Sequence, residues 1–214
     1  MVWGYPHCHG RVTGIITVMT FKLGLTGSIG MGKSTTAGFF ADHGCAVWDA
    51  DAAVHRLYAA GGPAADPVAA VFPTAVQNGA VSRDMLKQEL MADPTKFKAL
   101  EQIIHPLVAQ DRADFIATAT TDIVVLDIPL LFETGADRAM DAVACVSIDA
   151  ETQKQRVMAR QTMDEKTFQQ ILDRQWPNAD KVAKSDYVIH TDSLDHAKQQ
   201  VADIVNTIRT SINA

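Results

Sequence analysis

The chain has 214 residues, 47% of them hydrophobic and 21% charged, with a formal net charge of −6 and an isoelectric point near 5.6. This length supports one well-buried domain that can carry an inserted subdomain, and it excludes two large independent domains. The acidic balance argues against a nucleic-acid-binding or anionic-membrane surface, so a phosphate site must come from a local cluster of basic residues.

Residues 1–19 differ in composition from the rest of the chain. They contain Trp3, Tyr5 and Pro6 but no basic stretch that leads into a sustained apolar run, which makes them a poor signal peptide and too short to span a membrane. We predict that this segment is a disordered tail or an over-extended start. The folded domain is then expected to cover residues 20–214.

A phosphate-binding motif follows the first predicted strand, residues 21–26. Residues 27–34 read Gly-Ser-Ile-Gly-Met-Gly-Lys-Ser and match the pattern G-x-x-x-x-G-K-[ST], and a helix is predicted from Thr35 to about His43. In such a loop the glycines let successive backbone amides surround a phosphate chain, and the helix N-terminus favours the same anion. The motif predicts a nucleoside triphosphate site formed by Gly27, Ser28, Ile29, Gly30, Met31, Gly32, Lys33, Ser34 and Thr35, in which Lys33 contacts the outer phosphates and Ser34 a Mg²⁺ ion.

Short apolar runs then alternate with helical patterns, which is typical of a parallel sheet with helices on both faces. Strands are predicted at residues 45–48, 123–126, 142–148 and 187–189, and an amphipathic covering helix at residues 194–212.

The interval from residue 66 to residue 121 has a different character. It holds no credible strand, and its helical segments are broken at Pro73, Asn78-Gly79, Asp93-Pro94 and His105-Pro106. We predict that this interval is an inserted, helical substrate-binding subdomain.

Carboxylates follow two of the predicted strands. Asp49 and Asp51 come directly after residues 45–48, at the sheet edge where open α/β folds bind their ligands. Asp51 is suited either to accept the proton of a substrate hydroxyl or to cap a helix that begins near Ala52, and its spacing leaves both roles open. Asp127 ends the next strand and is suited to a water-mediated magnesium ligand or to a strand-end cap.

Two further groups of candidate residues lie on either side of the predicted strand at residues 142–148 in the sequence, one at residues 153–160 and the other at His105. Gln153, Arg156 and Arg160 lie on one helical face, where the two guanidinium groups can reach phosphoryl oxygens or form a solvated basic surface. His105 precedes Pro106, which by itself indicates a helix end.

The three cysteines, Cys8, Cys45 and Cys145, are odd in number and widely spaced. Cys45 and Cys145 fall in apolar, strand-like runs, which favours buried free thiols over disulfides. A reducing cytoplasm suits them best.

In their order along the chain these motifs resemble the dephospho-coenzyme A kinase family, over roughly residues 20–206. The resemblance rests on residues 25–35, Asp49-Ala50-Asp51, His105-Pro106, the segment Pro-Leu-Leu-Phe-Glu at 129–133, and Gln-x-x-Arg-x-x-x-Arg at 153–160. Two places depart from it. After the last strand the family usually has an Asn, and this chain has His190-Thr191-Asp192 there. At a position where a Met is common it has Trp176. The resemblance therefore does not assign the residues that contact the adenine ring.

The resemblance implies a P-loop kinase fold, an α/β protein with three α/β/α layers around a five-stranded parallel sheet. It also implies a helical substrate-binding insert at residues 66–121 and a helical lid at residues 150–180. The implied reaction transfers the γ-phosphoryl group of ATP, with Mg²⁺, to the ribose 3′-hydroxyl of dephospho-coenzyme A, which is the last step of coenzyme A biosynthesis.

The resemblance also implies roles for the candidate residues. Asp51 would be the base, and Lys33, Arg156 and Arg160 would act on the transferred phosphoryl group. His105, Pro129 and Leu130, with Asp51, would contact the acceptor, while Ser34 and Asp127 would hold the metal.

Two alternatives stay open at this point. One is a kinase of the same fold for a nucleoside monophosphate or a small metabolite such as shikimate or gluconate, against which the Asp-Ala-Asp placement and residues 129–133 argue. The other is a nucleotide-sensing or assembly protein, which has no need of the full set of base, lysine, hydroxyl and lid arginines.

The expected partners are ATP and dephospho-coenzyme A, and we expect no nucleic acid, no membrane and no obligatory protein partner.

Overall fold

The computed structural model describes residues 20–214, so the predicted tail at residues 1–19 lies outside the described residues. None of the helices in this range is both long enough and apolar enough to cross a membrane. In chain order the strands and α-helices of residues 20–214 are β1 (Phe21–Thr26), α1 (Lys33–Asp42), β2 (Ala46–Asp49), α2 (Ala50–Tyr58), α3 (Ala65–Val71), β3 (Val76–Gln77), β4 (Ala80–Val81), α4 (Arg83–Ala92), α5 (Phe97–Thr118), β5 (Ile123–Asp127), β6 (Ala142–Ser147), α6 (Ala150–Ala159), α7 (Glu165–Leu172), α8 (Asn178–Lys184), β7 (Tyr187–His190) and α9 (Leu194–Ile212).

The main sheet has five parallel strands, as predicted, and their order is β2-β5-β1-β6-β7. Strand β5 is buried on both faces: Ile123 and Val125 pack in a core cluster with α1 and α9, and Val124 and Leu126 pack in a second cluster with parts of α2 and α5. Burial on both faces explains why this strand is a continuous apolar run. The three-layer α/β/α architecture is therefore confirmed.

The register of the central strands brings the predicted site residues to one edge. Leu25 near the end of β1 is paired with Asp127, and Asp127 is also paired with Asp49 at the end of β2. Because all three strands are parallel, the phosphate loop after β1 and both carboxylates lie at the carboxyl edge of the sheet.

The prediction of no strand within residues 66–121 is wrong in one place. β3 and β4 form a small antiparallel hairpin, whose turn residues Asn78 and Gly79 have positive φ values of 50° and 75°. Two consecutive left-handed residues are what a tight two-residue hairpin turn requires. The strands are two residues long, so they are too short to show the alternation by which strands are recognised in a sequence.

The helix end predicted at His105-Pro106 is also wrong, because α5 runs through Pro106. Pro106 cannot donate a hydrogen bond to the carbonyl of Gln102, but Gln102 is exposed, so water can hydrate that carbonyl. Ile103, Ile104 and Leu107 pack in the same apolar cluster on both sides of the proline. Tertiary packing therefore outweighs the local preference against helix.

Candidate active site

The phosphate loop leaves the amides at the start of α1 without side-chain partners. Gly32 is the N-cap of α1 with a φ of 91°, and no side chain caps the helix. At Gly30, whose φ is 78°, a Cβ atom would lie 2.5 Å from Val157 Cγ2 of α6. Glycine is thus required at Gly30 both by the backbone and by the close approach of α6, and the free helix N-terminus is suited to bind an anion.

An ion pair joins the loop to the end of β5. The ammonium of Lys33 donates a hydrogen bond to the carboxylate of Asp127, which is buried. Burial raises the pKa of Asp127 above its usual range; Lys33 opposes this shift, and the charges of Asp49 and Asp51 add to it. Lys33 is therefore held at the base of the loop by the carboxylate of Asp127, whose charged form is disfavoured by burial and favoured by Lys33.

The cap of α2 is Asp49 and not Asp51. The helix begins at Ala50, and Asp49 Oδ1 accepts a hydrogen bond of 2.9 Å from the backbone N–H of Ala52. Of the two roles that the spacing left open for Asp51, the cap of a helix that begins near Ala52 is therefore wrong, because Asp49 already fills the position from which a carboxylate reaches the first-turn amides. Asp51 lies in the first turn with its side chain exposed.

Two cavities meet at Asp51. The first, which we call the loop cavity, has a volume of about 300 Å³ and is lined by residues 27–35 with Asp51, Pro129, Arg160, Ile171 and Gln175. The second, the large cavity, has a volume of about 860 Å³ and lies between α2, α5 and the segment after β5. Asp51 and Pro129 line both cavities. A carboxylate at Asp51 can therefore contact groups bound on either side.

The predicted acceptor residues come together in the large cavity. His105, Pro129 and Leu130 all line it, with Asp51 on the wall that faces the loop. Its remaining lining is mostly apolar, with the ionisable side chains of Glu101, Arg112 and Glu133.

Arg156 of α6 and Arg160, the C-cap of this helix, share one cavity, and Arg160 also lines a second. Arg160 lines the loop cavity, whereas Arg156 lines a third cavity of about 370 Å³, which we call the side cavity and which Arg160 also borders. Arg156 donates hydrogen bonds to Thr191 Oγ1 (3.0 Å) and to Thr191 O (2.6 Å), and Thr191 Oγ1 donates to the carbonyl of Met31 (2.8 Å). Thr191 therefore couples Arg156 to the phosphate loop.

Two lid glutamines also contact the loop at Ile29. Buried Gln153 donates from Nε2 to the carbonyl of Ile29 (2.7 Å), and Gln175 Oε1 accepts from its backbone N–H (3.2 Å). The sequence indicated Gln153 as part of a helical face and of the motif at 153–160, and it predicted a loop contact for neither Gln153 nor Gln175. Both fix the loop backbone from the direction of the predicted lid.

An ion pair of the buried Lys181 contacts Pro129, which lines both the loop cavity and the large cavity. Lys181 of α8 has no exposed side-chain surface, and its Nζ lies 2.8 Å from Glu133 Oε1 and 3.5 Å from the carbonyl of Pro129. Glu133 Oε1 also accepts a hydrogen bond from the N–H of Trp176 (2.8 Å). The pair links α8 to the turn that carries Pro129, and no sequence pattern had indicated Lys181.

We expect Lys181→Met to lower the free energy of unfolding by about 3 kcal/mol, because it leaves the largely buried carboxylate of Glu133 without its counter-ion. Urea denaturation of the two proteins measures the difference. The double variant Lys181→Met with Glu133→Gln should recover part of the loss, since the uncompensated charge is gone. A loss below about 1 kcal/mol in the single variant would show that the pair contributes little.

These features define a class of protein. A phosphate loop that follows the central strand of a parallel sheet, with carboxylates at the same sheet edge and arginines on an overlying helix, is the arrangement of a P-loop kinase. The model that describes the dephospho-CoA kinase family matches residues 21–196. The chain belongs to the dephospho-CoA kinase family.

Individual relatives agree with the family match. A dephospho-CoA kinase of Ruegeria pomeroyi is 64% identical over 191 residues, which cover 89% of this chain and 97% of the relative. The crystal structure of TT1252 from Thermus thermophilus superimposes with a TM-score of 0.78 at 28% identity and covers 88% of this chain and 97% of that one. Dephospho-CoA kinase from Campylobacter jejuni has the same fold, with a TM-score of 0.67 at 22% identity, covering 90% and 99% of the two chains.

Proposed function

We propose that the chain transfers the γ-phosphoryl group of ATP to the ribose 3′-hydroxyl of dephospho-coenzyme A, giving coenzyme A and ADP, through the residues of the loop cavity and the large cavity. This reaction is the last step of coenzyme A biosynthesis. The observation that carries the assignment of roles is the position of Asp51 on the wall that both cavities share.

The donor side uses charges to hold the triphosphate. The loop amides and the N-terminus of α1 bind the β- and γ-phosphates, and Lys33 moves from Asp127 to the phosphate oxygens. Arg160 faces the loop cavity and stabilises the charge that grows on the transferred group, while Arg156, held by Thr191, binds the donor from the side cavity.

The acceptor side uses Asp51 as the base. The adenosine part of the acceptor occupies the large cavity against His105, Pro129 and Leu130, which places its 3′-hydroxyl at Asp51. The hydroxyl oxygen attacks the γ-phosphorus, the bond from that phosphorus to the β–γ bridging oxygen breaks, and ADP keeps the electron pair. The hydroxyl proton passes to the carboxylate of Asp51.

The residues at the loop fit a magnesium ion bound mainly through the nucleotide. Residues 20–214 hold no group of three or more His, Cys, Asp or Glu side chains suited to a metal, but exposed Ser34 lines the loop cavity and the carboxylate of Asp127 contacts Lys33 of the same loop. Mg²⁺ typically takes one or two protein oxygens together with substrate phosphates and water. When bound, it neutralises charge on the phosphates.

The segments outside the site take supporting roles in this proposal. Residues 66–121 form the substrate-binding insert, and residues 150–180 form a lid that excludes water as a competing acceptor.

Cys45 and Cys145 are buried and free, and burial raises the pKa of each thiol to about 11. Such unreactive thiols suit a reducing cytoplasm, which we propose as the location of the enzyme.

The decisive experiment incubates the protein with ATP, Mg²⁺ and dephospho-coenzyme A and looks for coenzyme A by mass spectrometry. Parallel mixtures contain a nucleoside monophosphate, shikimate or gluconate as the acceptor. Coenzyme A should form with a kcat/KM far above that of any other acceptor. A faster reaction with one of the others would replace the acceptor, and no phosphorylation of any acceptor would favour an ATP-binding protein without transferase activity.

A further inference from the structure

Thr191 is a buried residue at the point where β7 ends, and its side chain contacts two parts of the donor site. It follows His190, the last residue of β7, so it lies at the same carboxyl edge of the sheet as the phosphate loop. Its backbone N–H donates to the carbonyl of Ser147 at the end of β6 (3.0 Å), and Thr191 is only 7% exposed. The sheet therefore fixes the backbone from which this side chain extends.

The hydroxyl of Thr191 is used both as a donor and as an acceptor. Its hydrogen goes to the carbonyl of Met31 in the loop (2.8 Å), so the bond from Arg156 Nη1 (3.0 Å) uses a lone pair of the same oxygen. The carbonyl of Thr191 accepts from Nη2 of the same guanidinium (2.6 Å). One residue thus binds both terminal nitrogens of Arg156, which fixes the orientation of the guanidinium plane.

The rest of the Thr191 side chain packs against the loop. A Cβ atom at Gly32 would lie 3.3 Å from Thr191 Cγ2 and 3.4 Å from its Cβ and Oγ1. Thr191 therefore contacts two consecutive loop residues, Met31 through a hydrogen bond and Gly32 through packing. A side chain of the same shape without the hydroxyl would keep the packing and lose both hydrogen bonds of Oγ1.

Arg156 carries an uncompensated charge at the side cavity. Among residues 20–214 it forms no ion pair, and the two oxygens of Thr191 that accept from it are neutral. Asp192 also lines this cavity, but its carboxylate contacts His196 Nδ1 (2.7 Å). A guanidinium held by neutral oxygens keeps its full positive charge for a ligand in the cavity.

We propose that Thr191 is a positioning residue for the donor: its hydroxyl holds the guanidinium of Arg156 in the orientation that binds ATP. The inference rests on the proposed function only in that it takes ATP as the donor. Ordering a long side chain such as arginine opposes binding. Because Thr191 orders Arg156 through bonds that do not involve ATP, this cost does not reduce the affinity for ATP. The affinity for the acceptor, which occupies the large cavity, should not depend on this hydroxyl.

Two substitutions of Thr191 test the role of the hydroxyl. Thr191→Val keeps the shape but neither donates nor accepts, whereas Thr191→Ser keeps the hydroxyl without the methyl group. Thr191→Val should raise the Kd for ATP, measured by isothermal titration calorimetry, by about fivefold to tenfold and should lower kcat/KM for ATP by a similar factor. The KM for dephospho-coenzyme A should stay within about twofold. Thr191→Ser should keep the Kd for ATP within about threefold of the parent value.

A double-mutant cycle tests whether Thr191 acts through Arg156. Arg156→Met removes the guanidinium and should raise the Kd for ATP at least as much as Thr191→Val does. In the Arg156→Met protein, Thr191→Val should then change this Kd by less than about twofold, because the group that it positions is absent. An undiminished effect of Thr191→Val in that background would overturn the inference.

Thr121 provides a matched control for the loss of a threonine hydroxyl. Its Oγ1 also donates and accepts, to the carbonyl of Ile123 (2.9 Å) and from the N–H of Ala46 (3.3 Å), but it lies before β5 at the opposite edge of the sheet. Thr121→Val should lower the melting temperature and leave the Kd for ATP within about twofold. A merely structural role of Thr191 would give the same pattern.

The outcomes separate this inference from the proposed function. If Thr191→Val binds ATP as tightly as the parent, or if Thr191→Ser is weakened equally, the hydroxyl does not position the donor site, and the proposed function stands. Equal increases in the KM values of both substrates would also overturn the inference. If the parent binds ATP but makes no coenzyme A, the proposed function fails, and the Kd values still decide the role of Thr191. If the parent does not bind ATP, both fail.

Discussion

Lys33→Ala is expected to lower kcat by about a thousandfold or more, since the ammonium of Lys33 serves a charge that grows on the phosphoryl oxygens only as the group moves. The ion pair with Asp127 places this ammonium at the base of the loop, within the same site. Steady-state turnover of ATP and dephospho-coenzyme A measures the effect. Turnover within about tenfold of the parent would contradict the assignment of the loop.

The same substitution has a second, structural effect that must be measured separately. Without Lys33, the pKa of Asp127 is expected to rise further, because burial already raises it and Lys33 opposes the shift. A carboxyl group whose pKa is raised in the folded state binds more protons there than in the unfolded chain. The free energy of unfolding of Lys33→Ala should therefore fall, relative to the parent, as the pH rises from the acidic range through the pKa of Asp127.

This pH dependence provides the control for the activity loss. Where Asp127 is protonated, the variant should melt close to the parent, so an inactive but folded protein can be demonstrated. The double variant Lys33→Ala with Asp127→Asn should lose the extra pH dependence of stability, because the titrating group is absent. If the double variant kept the full dependence, a group other than Asp127 would be responsible.

Much of the fold could be predicted from the sequence because buried parallel strands are short apolar runs. The strand predicted at residues 187–189 and the helix predicted at 194–212 correspond closely to β7 and α9. The failures have local causes. The hairpin of β3 and β4 is too short to show a period, and Pro106 is carried inside α5 by tertiary packing on both of its sides.

The site residues also fall into those that the sequence could predict and those that it could not. The phosphate loop is contiguous in the sequence, so its ligands could be predicted from one motif. Thr191 contacts Met31 across 160 positions, and Gln175 contacts Ile29 across 146. Contacts of that separation depend on how β7 and the lid helices pack against the loop, and they have no local pattern. The buried Lys181 is a third such case, because an ammonium with no exposed surface is recognised only from its tertiary partner Glu133.

Asp51→Asn is expected to lower kcat by roughly two to four powers of ten, because asparagine cannot take the proton of the 3′-hydroxyl. The free energy of unfolding should change by less than about 1 kcal/mol, since Asp51 is exposed and its only helical contribution is a charge in the first turn of α2. Turnover and urea denaturation of the same protein preparation measure both quantities.

Asp49 supplies the matched control, because it stands two residues earlier and holds the structural role that Asp51 lacks. Asp49→Ala removes the hydrogen bond to the N–H of Ala52 and should lower the free energy of unfolding by about 1 kcal/mol. Its effect on turnover should stay within about tenfold, since Asp49 does not line the loop cavity or the large cavity. Asp51→Asn should therefore lower turnover with little change in stability, and Asp49→Ala should lower stability with little change in turnover. An Asp51→Asn protein with near-normal turnover would remove Asp51 from the reaction, whatever the result at Asp49.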